Sequence, residues 1–186
     1  LQPCTDEHNA IYDVCVMPGS RAVELKYSLD TFLAAMQRLL QRNASLSFVI
    51  PAASEALLAR INGAISLMND ELMQARTSVV LGSSQDCVKQ AKLVLQMSGT
   101  ATLEAALLGR PMVVAYKMSN LGYAIISRMA KVDHIALPNL LLGERVAPEF
   151  LQDAASAERL ADELQQLLDD PARRTAIRER FAQLHQ

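Results

Sequence analysis

The residues with the clearest chemistry lie in one short run, Ser98-Gly-Thr-Ala-Thr-Leu-Glu104. If a helix starts here, the peptide N–H groups of Gly99 to Thr102 point out of its N-terminus. Unpaired donors and the helix dipole favour an anion such as a phosphate there. Ser98, Gly99, Thr100 and Thr102 are therefore a candidate phosphate cradle. Glu104 at the same opening has the wrong charge for a phosphate but suits ribose hydroxyls, which donate to a carboxylate. Helix capping and first-turn stabilisation would use the same residues. A second candidate is the turn Pro18-Gly-Ser-Arg21. The planar guanidinium of Arg21 can pair with a diphosphate, while Gly19 and Ser20 supply turn geometry and N–H donors; a surface pair with Glu24 is the competing reading. Neither G-x-G-x-x-G nor G-x-x-x-x-G-K-[ST] occurs, so a dinucleotide fingerprint and a P-loop are both unsupported.

The elements that must position these residues alternate between strand and helix. Apolar runs at Val14–Met17, Leu46–Ile50, Ser78–Leu81, Leu93–Leu95 and Met112–Tyr116 read as buried strands. Pro18-Gly19 stops the first and Pro51 the second. Leu25, Leu29, Phe32, Leu33, Met36, Leu39 and Leu40 fall at amphipathic-helix spacing across 24–42. Ser54 is placed to cap a helix over 55–65. Further helices are expected at 85–91, after the Ser98 turn, at 121–130, at 156–168 and at 171–184, with Pro171 in a first turn. Ala136 to Leu142 reads as a Pro-Asn loop. Repeated βα units predict an α/β fold with a mainly parallel sheet and helices on both faces. Ligands of such sheets collect at the carboxyl ends of the strands. Three of the five loops there, at Pro18–Arg21, Gly82–Ser84 and Ser98–Thr100, are rich in small hydroxyl residues.

Composition narrows the function classes. A chain of 186 residues that is 51% hydrophobic can bury a full core. Net charge is −2 and Trp is absent, which argues against nucleic-acid partners and stacking platforms. Cys4, Cys15 and Cys87 are odd in number and lack metal-ligand spacing, so reduced thiols in a cytoplasmic protein, no bound metal and no cofactor are expected. His8, His134 and His185 have no partner pattern and are expected to be structural or exposed. The apolar segments are short and interrupted, so no membrane span is expected. The helix at 121–131 is apolar almost all round, with Arg128 and Lys131 near its end. Two readings stay open for it: a crossover helix on the sheet, or a surface that meets acyl chains or anionic lipid. The chain opens without Met in a polar stretch, which reads as an excised domain.

Four motifs, Met17-Pro-Gly-Ser-Arg-Ala-Val-Glu24, Ser98-Gly-Thr-Ala-Thr-Leu-Glu104, Leu137-Pro-Asn139 and Pro148-Glu149-Phe-Leu-Gln152, occur in one order and spacing. In this the chain resembles the C-terminal half of the lipid-A-disaccharide synthase family, from about Val14 to its end. The resemblance implies a Rossmann-like three-layer domain, the donor-binding half of an inverting GT-B glycosyltransferase. Its reaction joins UDP-2,3-diacylglucosamine to 2,3-diacylglucosamine 1-phosphate, giving a β-1,6 disaccharide and UDP. Residues 1–186 would then be the nucleotide-sugar domain, with C-terminal helices at about 156–186. The acceptor domain and its catalytic base would lie outside this chain, leaving it inactive alone. The resemblance implies donor contacts for Gly19, Ser20, Arg21, Ser98, Gly99, Thr100, Thr102 and Glu104. It adds Asn139, with turn chemistry as the alternative, and Glu149 and Gln152, one helical turn apart and facing the sugar or uracil, with a solvated helix start as the alternative. Partners implied are the donor, the acceptor lipid and the N-terminal half. An anionic membrane surface at the inner face and a homo-oligomer are left open, as are another UDP-sugar GT-B enzyme, a UDP-N-acetylglucosamine epimerase and a non-catalytic nucleotide-binding module.

Overall fold

The computed structural model of the chain describes residues 10–118 and 134–185. Within them lie strands β1 (Tyr12–Met17), β2 (Phe48–Ala52), β3 (Thr77–Leu81), β4 (Ala91–Met97), β5 (Met112–Tyr116) and β6 (Glu149–Leu151). They form one sheet in the order β3-β2-β1-β4-β5-β6, with every pair parallel. The helices are α1 (Ala22–Arg42), α2 (Glu55–Leu67), α3 (Glu71–Arg76), α4 (Ser84–Lys89), α5 (Thr100–Leu107), α6 (Leu137–Leu142), α7 (Ala157–Asp169) and α8 (Pro171–Ala182). Parallel strands covered on both faces need apolar side chains throughout. Val14–Val16, Leu93–Leu95 and Met112–Ala115 are accordingly all buried. The chain winds from β1 outward through β2 to β3, then returns to the middle and winds the other way from β4 to β6. The loops leaving β1 and β4 therefore part in opposite directions, opening a crevice at the carboxyl edge of the sheet.

The helix α1 buries Leu25, Leu29, Phe32, Leu33, Met36, Leu39 and Leu40, the full predicted stripe. It packs beside α7, to which Arg42 reaches in a 2.6 Å ion pair with Asp162. Ser54 Oγ accepts the Leu57 N–H at 3.4 Å, as expected of an N-cap. Asp70, Ser156 and Asp170 cap α3, α7 and α8 in the same way.

Three segments depart from the expectation, and α3 adds a helix that the pattern did not show. Residues 136–142 are not an open loop: Pro138 sits in the first turn of α6, which Gly143 ends in a left-handed conformation. Proline suits a first turn because the N–H it lacks has no intrahelical partner there. Glu149 is not at a solvated helix start but in β6, paired through Val114↔Glu149 and Ala115↔Phe150 to β5. A three-residue strand has no periodicity to read and gains its partner only from a distant segment. Finally, β2 runs through Pro51 to Ala52 rather than stopping. The β1–β2 register ends at Cys15↔Val49, so Pro51 faces no ladder acceptor on that side and its missing N–H costs nothing. The expected helix over 121–130 lies outside the described residues. No described helix is long and apolar enough to cross a membrane.

Candidate functional site

A cleft of about 1070 Å³ lies over the carboxyl ends of β1 and β4. Its walls come from the turn after β1, the loops after β2 and β3, the turn into α5, and Tyr116–Met118 after β5. This is the size expected of a site for a large small-molecule ligand.

The β1–α1 turn is built around one carboxylate. Gly19 has φ +128°, and a Cβ there would lie 2.4 Å from Glu24 Cβ and 2.8 Å from Glu24 Oε2, so only glycine fits. That close approach lets Glu24 Oε2 accept the N–H groups of Ser20 (2.7 Å) and Arg21 (3.2 Å). Ser28 Oγ donates to the Pro18 carbonyl and pins the same turn to the second turn of α1. The Arg21 guanidinium stands 3.9 Å from Glu24, with its side chain 81% exposed at the cleft edge. Held by its backbone rather than by its side chain, it is a cation available to an anion in the cleft.

Opposite, α5 begins with Gly99 at its N-cap and no described side chain caps it. Ser98 Oγ turns away to donate to the Ile135 carbonyl at 2.9 Å. Thr102 Oγ1 donates to the Gly99 carbonyl at 2.7 Å and is buried, so it braces the turn rather than facing the cleft. First-turn N–H groups without a side-chain cap form an anion-favouring opening. Glu104 lines the cleft one turn further on, and its Oε1 accepts from Gln85 Nε2 of α4. Lys117 also lines the cleft, steadied by a 2.7 Å bond from its Nζ to Thr31 Oγ1 of α1.

Gly19, Ser20, Arg21, Ser98, Gly99, Thr100 and Glu104 thus meet around one cleft. Asn139 and Glu149 do not line it: they are 0% and 6% exposed and bonded to each other at 2.7 Å. Gln152 pairs with the backbone of Met118, accepting its N–H at 2.9 Å and donating to its carbonyl at 3.2 Å, and so holds one lip of the cleft. Sequence reasoning passed over Lys117 and Glu24 as site residues. The rule that locates ligands beyond strand ends placed the loop holding Lys117, which follows β5 directly, among the five at the sheet edge, but it singles out no residue within a loop. Glu24 is marked by its position three residues after the helix cap. Cys15 and Cys87 are buried outside the cleft. Burial, reinforced by Cys87, pushes the Cys15 thiol well above its ordinary range. Burial first, and Asp86 second, raises Cys87, and neither is poised as a nucleophile.

A six-stranded parallel sheet with helices and a switch-point crevice defines a Rossmann-like α/β domain, the kind from which GT-B glycosyltransferases are built. Solved structures share this fold. The C-terminal CMP-Kdo binding domain of WaaA from Acinetobacter baumannii is 14% identical, with a TM-score of 0.62 over 94% of this chain and 90% of that one. The UDP-GlcNAc 2-epimerase of Neisseria meningitidis bound to UDP-GlcNAc is 13% identical, with a TM-score of 0.55 over 94% of this chain and 40% of that one. The family described as lipid-A-disaccharide synthetase matches residues 5–186, and the chain belongs to it. It is 40% identical over 170 residues to the lipid-A-disaccharide synthase of Neisseria meningitidis serogroup C, covering 91% of this chain. The chain spans 44% of that relative's length.

Proposed function

We propose that this chain is the donor-binding half of a lipid-A-disaccharide synthase. In this reading it holds UDP-2,3-diacylglucosamine for transfer to 2,3-diacylglucosamine 1-phosphate. The observation that carries it is the family match over 5–186 together with a cleft that gathers seven of the eleven candidate donor-contact residues. The diphosphate lies between the first turn of α5 and the Arg21 side chain, with Lys117 as a third source of positive potential. Glu104 takes the ribose hydroxyls.

In the transfer step the acceptor 6-hydroxyl oxygen forms a bond to the donor sugar carbon. The bond from that carbon to the β-phosphate oxygen breaks on the opposite face, and the electron pair leaves with UDP. Fixed N–H donors and cations aimed at the leaving oxygen stabilise the charge as it grows, without reorganisation. The hydroxyl proton goes to a base on the acceptor side, which this reading assigns to the segment preceding the chain in its relatives. An enzyme with two lipid substrates would work at the cytoplasmic face of a membrane, peripherally bound. The test is turnover by the full-length protein containing this chain, given the acylated donor and acceptor. Equal release of UDP and disaccharide is expected, with none from the chain alone. Epimerisation or transfer of unacylated UDP-N-acetylglucosamine, with no reaction of the acylated donor, would overturn the reading.

A further inference from the structure

Behind the cleft wall, Glu149 is a buried carboxylate surrounded by donors. It accepts the N–H of Ile135 (3.0 Å), the N–H of Ala136 (2.8 Å) and the amide of Asn139 (2.7 Å). Asn139 in turn donates to the Ala147 carbonyl at 2.7 Å and accepts the Ala147 N–H at 2.8 Å. The three described partners of the carboxylate are all N–H donors, so the cage suits an acceptor-only side chain. A glutamine would turn its own NH₂ toward at least one N–H. The cage holds residues 135 and 136 against the end of β6, and it does one more thing. The Ile135 carbonyl, on the residue whose N–H the carboxylate grips, is the acceptor of the Ser98 hydroxyl at 2.9 Å. Ser98 opens the α5 turn whose N–H groups face the cleft.

We propose that Glu149 is a positioning residue for the phosphate-binding turn. Resting on the donor-site reading above, this gives the Pro-Glu-Phe-Leu-Gln motif a role that requires no contact with the ligand. The carboxylate fixes the Ile135 carbonyl, that carbonyl fixes Ser98, and Ser98 fixes the first turn of α5. Because the chain of contacts ends at the phosphate cradle, its loss weakens ligands in proportion to their phosphates and spares the nucleoside.

The test uses NMR titration of the chain with UDP, inorganic diphosphate and uridine, in wild type, Glu149→Gln, Ser98→Ala and the double variant. Glu149→Gln is expected to weaken UDP and diphosphate about tenfold, the cost of about one hydrogen bond, with uridine unchanged. The double variant is expected to lose little more than Ser98→Ala alone, since both cut one path. An equal loss for uridine, or additive losses in the double variant, would overturn the proposal. Should Glu149→Gln fail to fold, Glu149→Asp carries the same test, because it keeps the charge but draws the carboxylate back from its donors. One readout needs no ligand: the amide resonances of Ser98 to Thr100 are expected to shift in the Glu149 variant. Shifts confined to residues around 135–149 would refute the positioning role even if UDP proves not to bind. UDP failure with intact amide coupling would instead count against the donor-site reading.

Discussion

Replacing Gly19 by alanine should disturb both the stability of the chain and the shape of its cleft. The added Cβ would lie 2.4 Å from Glu24 Cβ, against an ordinary carbon contact of about 3.5 Å, so the turn and the helix must part by about 1 Å. Glu24 Cβ is anchored to the α1 backbone and cannot swing aside as a flexible tip would. The φ of +128° adds strain of about 1–3 kcal/mol for any residue but glycine. Moving Glu24 also lengthens its bonds to the Ser20 and Arg21 N–H groups, each contributing about 1 kcal/mol. The sum is about 3–5 kcal/mol, a fall in Tm of about 6–20 °C for a chain of this size. Gly82 is the control: its φ is +68° but a Cβ there meets nothing within 4 Å. Gly82→Ala should cost only the left-handed penalty of about 1–2 kcal/mol. Calorimetry of the two variants side by side separates the clash from the backbone term. Equal Tm values for Gly19→Ala and Gly82→Ala would refute the claim that Glu24 closes this turn.

Three further outcomes are expected. Asn139→Ala removes three buried hydrogen bonds at once and should cost about 2–4 kcal/mol in denaturant unfolding, with the far-UV spectrum retained. Cys15 and Cys87 should resist a thiol reagent at neutral pH in the folded chain and react together on unfolding, since burial disfavours both thiolates. Asp70 is held below the usual carboxylate range by the Met73 N–H and then by Gln37. Its stabilisation is therefore present above the unfolded value of about 3.9 and is lost as pH falls through the lower folded value. Asp70→Ala should accordingly cost about 1 kcal/mol near neutral pH, with the gap to wild type closing in acid.

The alternating plan was legible because parallel strands buried on both faces leave contiguous apolar runs, as at Leu93–Leu95 and Met112–Ala115. The stripe of α1 was legible for the same reason, at a different period. The cradle could be read because a small-residue turn between such runs must lie at the carboxyl end of a strand. Glu149 could not be placed this way. Its strand is three residues long, and its donors come from Ile135, Ala136 and Asn139, which only α6 brings alongside. Glu-x-x-Gln read locally is a helix start, and nothing within the motif shows that β5 lies waiting to pair with it. Pro51 misled for the converse reason: proline ends a strand only where its missing N–H faces an acceptor, and here β1 has already ended its register.

The most direct measurement is calorimetric titration of the chain with UDP, with ADP as the control nucleotide and Arg21→Ala and Glu104→Ala beside wild type. Losing a charge-assisted bond costs about 1.5–3 kcal/mol, so each substitution should weaken UDP by about 10–150-fold, with wild type preferring UDP to ADP. Absence of binding at millimolar UDP, or affinity unchanged in both variants, would contradict the assignment of this cleft to the nucleotide-sugar donor.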